Sequence, residues 1–240
     1  MTIPNSIGGD SPKVRPSALR QDGLVSDMLD CTDPANRSNA IAAATRAVEG
    51  GSVIVLPTDT LYGIGCDAFN SAAVSGLLAA KGRGRDMPVP VLVGSWNTID
   101  GLVSYVTADA RNLIEAFWPG GLTLIVEHAP TLAWDLGDAR GTVGIRMPLH
   151  PVALELLAIT GPMAVSSANR TSLPPATNVA QAYEQLGEAV SVYLDGGDVP
   201  IGRPSSIVDL TGDLPRLVRE GAISLDALRE VVPLITRPSD

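Results

Sequence analysis

Residues 36–63, NRSNAIAAATRAVEGGSVIVLPTDTLYG, decide how this chain folds. Positions 36–49 are rich in Ala and place their apolar residues at helical spacing, and Gly50-Gly51 end the run. SVIVL (52–56) is short, apolar and β-branched, which predicts a buried strand. PTDTLYG (57–63) then reads as a polar loop. A helix, a short buried strand and a polar loop are the repeating parts of a sheet covered by helices.

The same alternation continues outward. A helix is expected at 71–81 behind Asn70 or Ser71, and another at 107–117 behind Thr107. A third is expected at 150–159, with Pro151 in its first turn, and a fourth at 178–186. VPVLVG (89–94), LTLIVE (122–127), TVGIRM (142–147) and MAVSS (163–167) read as strands. So do VSVYLD (190–195), SSIVDL (205–210) and PRLVRE (215–220), before a last helix from Ser224. Strands and helices alternate early, while the late strands follow one another closely. This favours an α/β sheet of mixed direction in a single domain. Residues 1–35 are expected to be a flexible tail, 36–232 the folded domain and 233–240 a second tail.

Composition narrows the function. The net charge is −9, which disfavours a surface devoted to gripping nucleic acid. Cys31 and Cys66 show no CxxC spacing, so a zinc site or disulfide framework is not expected and a reducing compartment fits. No apolar run approaches the ~20 residues of a membrane span. The N-terminus, with Pro4, Gly8, Gly9, Pro12 and Pro16, lacks the apolar core of a secretion signal. A cytoplasmic location is expected.

Candidate chemistry sits in loops after strands, where open α/β sheets place ligands. In PTDTLYG, Thr58, Thr60 and Tyr62 offer hydroxyls; a capped turn is the plainer reading. Gly63-Ile64-Gly65-Cys66-Asp67-Ala68 matches a dinucleotide GxGxxA pattern only weakly, without a helix on its glycines. KGRGRDMP (81–88) offers Lys81 as a point charge and Arg83 as a fork for a triphosphate; a solvated helix terminus explains it equally well. Arg146 in GIRMP follows an apolar strand residue, a position suited to an anionic ligand or to an edge strand facing water. Ser167 and Asn169 in SSAN offer a hydroxyl and an amide, or simply a turn. No GxxxxGK[ST] and no GxSxG occur, which excludes a P-loop ATPase and disfavours a serine hydrolase. His128 and His150 read as structural or exposed.

Taken together and in order, these segments resemble the YrdC/Sua5 family, the threonylcarbamoyl-AMP synthases. The matching runs are PTDTLYG (57–63), KGRGRDMPV (81–89), FWPGGLT (117–123), TVGIRMPLHP (142–151), SSAN (166–169), DGG (195–197), SSIVD (205–209) and VREGAI (218–223). The resemblance covers about residues 36–232. It implies an open twisted sheet around a basic cleft, and a reaction joining L-threonine, bicarbonate or CO2, and ATP into threonylcarbamoyl-AMP with release of pyrophosphate. It implies Mg2+ bound through the ATP phosphates, and a partner complex that transfers the threonylcarbamoyl group to tRNA.

By position, the resemblance assigns Thr60, Arg146, Val165 and Ser205 to threonine, and Arg83, Thr142, Ser167 and Arg219 to ATP. Lys81, Arg83, Ser167 and Asn169 match the family's catalytic constellation. The chain departs from the family at Gly84 and Gly121, each in place of a proline, and at Leu92 in place of a histidine. Glu220 replaces another proline and puts an anion beside Arg219; the implied loss is a looser Arg83 loop and a weaker Arg219. An RNA-binding module is the main rival, disfavoured by the charge and by a lack of exposed aromatic residues for stacking. A catalytically degenerate relative is a second rival.

Overall fold

A computed structural model describes residues 26–237. Its frame is one ten-stranded sheet. The strands are β1 (Asp27–Asp30), β2 (Ile54–Leu56), β3 (Gly63–Asp67), β4 (Val91–Leu92) and β5 (Leu122–Glu127). They continue as β6 (Thr142–Arg146), β7 (Met163–Ser167), β8 (Val192–Asp195), β9 (Ser206–Asp209) and β10 (Arg216–Arg219). Their order across the sheet is β1-β8-β2-β3-β7-β4-β6-β5-β9-β10, mixed in direction and open at both edges. The six helices are α1 (Pro34–Glu49), α2 (Ser71–Lys81), α3 (Ala108–Phe117), α4 (Pro151–Thr160), α5 (Val179–Leu186) and α6 (Leu225–Val231). Asn70, Thr107, Asn178 and Ser224 cap four of them, each side chain accepting a backbone N–H of the first turn.

Strand alternation divides the core in two. Val55, Ile64, Val91, Ile145, Ala164 and Tyr193 face a large cluster completed by α2, α3, α5 and α6. Ile54, Leu56, Leu92, Met163, Val165 and Leu194 face the other way, onto α1 and α4. Helices α1 and α4 cover only half of that second face. Beyond them, the corresponding positions of β5 and β6 are Thr123, Ile125, Thr142, Gly144 and Arg146, and they line a cavity instead of a core.

The structure departs from the sequence reading in four places. Gly63–Asp67 is a central strand, antiparallel to both β2 and β7. Its glycines hide it from propensity, but they are required: a Cβ on Gly63 would sit 2.6 Å from Val165 Cγ1, and one on Gly65 2.9 Å from Val165 Cγ2. The expected strand at 89–94 shrinks to two residues; Pro90 has no N–H to give, and Val89 donates to the Leu136 carbonyl instead. The expected tail at 1–35 contains β1, which pairs in parallel with β8, and the start of α1; residues 1–25 lie outside the described residues. The expected tail from 233 packs onto β10, with Ile235 buried and Leu217 N–H donating to Thr236 O, through residue 237.

Candidate active site

The uncovered half of the sheet forms a cavity of about 440 Å3. Of the residues selected from sequence, Thr60, Arg83, Thr142, Arg146, Val165, Ser167, Asn169, Ser205 and Arg219 all line it. They come from β6, β7, β10 and the loops after β2, after α2, after β7 and before β9, and only the fold brings them together.

Arg146, at the end of β6, is buried. Its Nε donates to Gly120 O at 2.9 Å, Nη1 to Thr60 Oγ1 at 2.8 Å and Nη2 to Asp59 Oδ1 at 2.6 Å. Burial works against its charge and the Asp59 carboxylate offsets that. Thr60 is held in turn by Thr58, whose Oγ1 lies 3.1 Å away. Arg219, on β10, donates from Nε and Nη2 to the Ser205 carbonyl at 3.0 and 2.8 Å, and reaches Ser205 Oγ at 3.2 Å. Thr123 Oγ1 lies 2.9 Å from the same hydroxyl. Burial, and then Arg146, push the Arg219 guanidinium below its ordinary value, which places two cations within electrostatic reach across one cavity.

The opposite wall carries Arg83. Its Nη1 donates to Ser166 Oγ at 3.0 Å, and Nε and Nη2 donate to the Met87 and Pro88 carbonyls, so the side chain folds its own loop. The looseness implied by Gly84 is countered from outside: Asp138 N–H donates to Arg85 O, and Arg85 pairs with Asp135 at 2.6 Å. Thr142 Oγ1 donates to Ala139 O at 2.7 Å.

Lys81 is the exception among the selected residues, lying beneath the cavity. Its ammonium donates to Ser167 O at 2.5 Å, Asn169 O at 2.6 Å and Asn169 Oδ1 at 3.3 Å, which uses its three hydrogens. Burial, then Arg83, lower its pKa to about 8. Asn169 Oδ1 also accepts from Ser167 Oγ at 2.6 Å, so Lys81 holds the SSAN turn in shape.

Sequence reasoning missed Asp59, Thr123 and Ser166. Asp59 stood inside a selected motif, but only the fold turns its carboxylate onto Arg146. Glu220 faces away from the cavity; Oε1 accepts from Leu225 N–H at 3.2 Å and Oε2 meets Arg237 at 3.3 Å, so the implied weakening of Arg219 has no contact behind it. Tyr62 ties the loop after β2 to the DGG turn, donating to Gly197 O at 2.6 Å and accepting from Gly196 N–H at 3.0 Å. Phe69, Trp96 and Tyr105 are exposed, contrary to the expected lack of exposed aromatic residues, but none lines the cavity.

The lining contains no Asp, Glu or His among the described residues, and no cluster of such residues suited to a metal occurs among them. This surface donates hydrogen bonds and positive charge, which suits an anionic ligand carrying its own metal-binding oxygens. No described helix is long and apolar enough to cross a membrane.

Fold and cavity together define an open mixed α/β protein with an arginine-lined cavity. The chain belongs to the Sua5/YciO/YrdC family, whose model, described as telomere recombination, matches residues 46–221. A Mycobacterium tuberculosis (strain H37Rv) protein, named provisionally as a threonylcarbamoyl-AMP synthase, is 57% identical over 208 residues, covering 87% of this chain and 96% of its own. The Bacillus subtilis (strain 168) threonylcarbamoyl-AMP synthase is 34% identical over 210 residues, covering 87% of this chain and 59% of its own. Among solved structures, Sua5 of P. abyssi complexed with L-threonine superposes with a TM-score of 0.85 at 29% identity, over 88% of this chain and 62% of that one. E. coli YciO gives a TM-score of 0.75 at 24% identity, over 84% of this chain and 98% of that one, and shows the shared fold.

Proposed function

We propose that this protein is a threonylcarbamoyl-AMP synthase, a nucleotidyltransferase that makes threonylcarbamoyl-AMP and pyrophosphate from L-threonine, bicarbonate or CO2, and ATP. The carrying observation is that Arg83, Arg146 and Arg219, from three distant segments, converge on one cavity lined with hydroxyls. Family membership and the names of the relatives support the same reading.

In this reading Arg146 takes the threonine carboxylate as a fork, with Thr60 beside it and Ser205 and the backbone at Val165 completing the subsite. Arg83, Thr142, Ser167 and Arg219 take the nucleotide. Once the threonine amine has added CO2, a carbamate oxygen attacks the α-phosphorus, the bond to the bridging oxygen breaks, and pyrophosphate leaves. Such a reaction depends on bringing two anions together and offsetting their repulsion, which these cations do. Lys81 contributes by holding Ser167 and Asn169 in place. Mg2+ would be held by the ATP phosphates and not by side chains of the cavity, and would supply charge to offset the triphosphate. The product passes to a tRNA threonylcarbamoyl-transferase complex in the cytoplasm.

The test is pyrophosphate release by the purified protein with ATP, Mg2+ and bicarbonate, with and without L-threonine. Release requiring both threonine and bicarbonate, with serine much poorer, is expected. Folded protein showing no threonine-dependent release would overturn the reading. Salt-sensitive RNA binding indifferent to threonine would then point to an RNA-binding module instead.

A further inference from the structure

The strongest unassigned feature near the site is a carboxylate that does not touch the cavity. Asp59 is 3% exposed and absent from the lining, yet Oδ1 accepts both Arg146 Nη2 at 2.6 Å and Leu149 N–H at 2.9 Å. Its backbone carbonyl also accepts from Ile201 N–H at 3.2 Å. Asp59 therefore joins the loop after β2 to the segments following β6 and preceding β9.

A guanidinium carries five N–H groups. Gly120 O, Thr60 Oγ1 and Asp59 Oδ1 engage one on each nitrogen of Arg146. One N–H remains on each terminal nitrogen, the arrangement a carboxylate meets as a fork. The plane of the fork is set behind the cavity, by Asp59 and Gly120.

The other oxygen, Asp59 Oδ2, is buried without a partner. A buried charge pair with an unsatisfied oxygen is a poor device for stability alone, since apolar packing does as well or better. It suits a group retained to orient its partner.

We propose that Asp59 is a positioning residue for the amino-acid subsite, fixing the Arg146 guanidinium so that its two remaining N–H groups face the substrate carboxylate. The inference rests on the reading of Arg146 as the threonine carboxylate site. Asp59 acts through Arg146 and touches neither substrate. Its influence therefore falls on one substrate and spares the other, which a general role in folding would not do.

The experiment measures KM for L-threonine and for ATP by pyrophosphate release, and threonine binding by calorimetry, for the full-length wild type, Asp59→Glu and Asp59→Asn. Glu keeps the charge but displaces the carboxylate by one methylene. Its KM for threonine should rise at least about tenfold, the scale of one charge-assisted hydrogen bond, while its KM for ATP stays within about twofold. Asn presents an oxygen that can still accept from both Arg146 and Leu149, so it should recover most of the affinity that Glu loses. Equal threonine affinity in the Glu variant and the wild type overturns the proposal, as does a parallel change in both KM values or an Asn variant as weak as Glu. If Asp59→Glu does not fold, Asp59→Ala at reduced temperature takes its place with the same expected split. Wild-type protein that ignores threonine would refute the functional reading itself, an outcome distinct from all of these.

Discussion

Gly63→Ala tests whether the cavity wall and the strand beneath it are one packed unit. Carbon atoms rest about 3.5–4.0 Å apart, and the new methyl would sit 2.6 Å from Val165 Cγ1, so roughly 1 Å of overlap must be relieved. Val165 is stiff at χ1, and its other methyl already lies over Gly65, where a Cβ would come within 2.9 Å. Overpacking of this kind costs about 1–3 kcal/mol, offset by about 0.4–1 kcal/mol from the lower entropy of an unfolded chain without that glycine. A net loss of about 1–2 kcal/mol should lower Tm by about 2–8 °C in a domain of this size. The assay is urea and thermal unfolding of the wild type, Gly63→Ala, Val165→Ala and the double variant. Removing the Val165 methyls should remove the clash, so the double variant should be at least about 1 kcal/mol more stable than the two single losses predict. Additive losses, or a Gly63→Ala protein as stable as the wild type, would refute the packing argument. Because Val165 lines the cavity, the single Ala variant should also raise the KM for threonine.

Arg83→Ala should abolish pyrophosphate release while leaving the circular dichroism spectrum intact, because its side chain serves the cavity and its own loop; unaltered turnover would remove it from the mechanism. Lys81 makes stability depend on pH in a definite direction. Its pKa is lowered from 10.5 to about 8 in the folded chain, so between those values the unfolded chain binds more protons, and stability should rise with pH relative to Lys81→Met. Below about pH 8 both states are protonated and the difference should be flat, as urea titrations at stepped pH would reveal. Glu220→Ala should leave the KM for ATP unchanged, since the carboxylate faces Leu225 N–H and Arg237; a tighter KM would restore a direct influence on Arg219. Its expected effect on stability is a loss of about 1 kcal/mol or less, measurable in the same unfolding assay.

Local pattern and chemistry determined much of this protein. Helical spacing marked most of α1, and capping residues marked α2 and α3, because those signals act within one turn of chain. Apolar runs marked β5 and β7 residue for residue, because a buried strand must be apolar wherever it pairs. The ordered motifs singled out nine of the cavity's residues through the family resemblance they carry together, each motif alone being equally readable as a turn or cap. Tertiary structure decided the rest. Gly63–Asp67 is a strand because Val165 and the flanking strands fill the space beside its glycines, a fact held by a partner about a hundred residues away. Asp27–Asp30 is a strand because β8 offers an edge, although it is only four residues long, begins and ends on an acidic side chain and has only Leu29 partly buried. Lys81 passed from a presumed cavity charge to a buried brace because the Ser167 and Asn169 carbonyls reach it first. Asp59 gained its place only when folding set it against Arg146. Sequence carries the preferences each residue has for water, neighbours and backbone angle; which distant atoms satisfy a buried charge is settled only when the strands and their loops assemble around it.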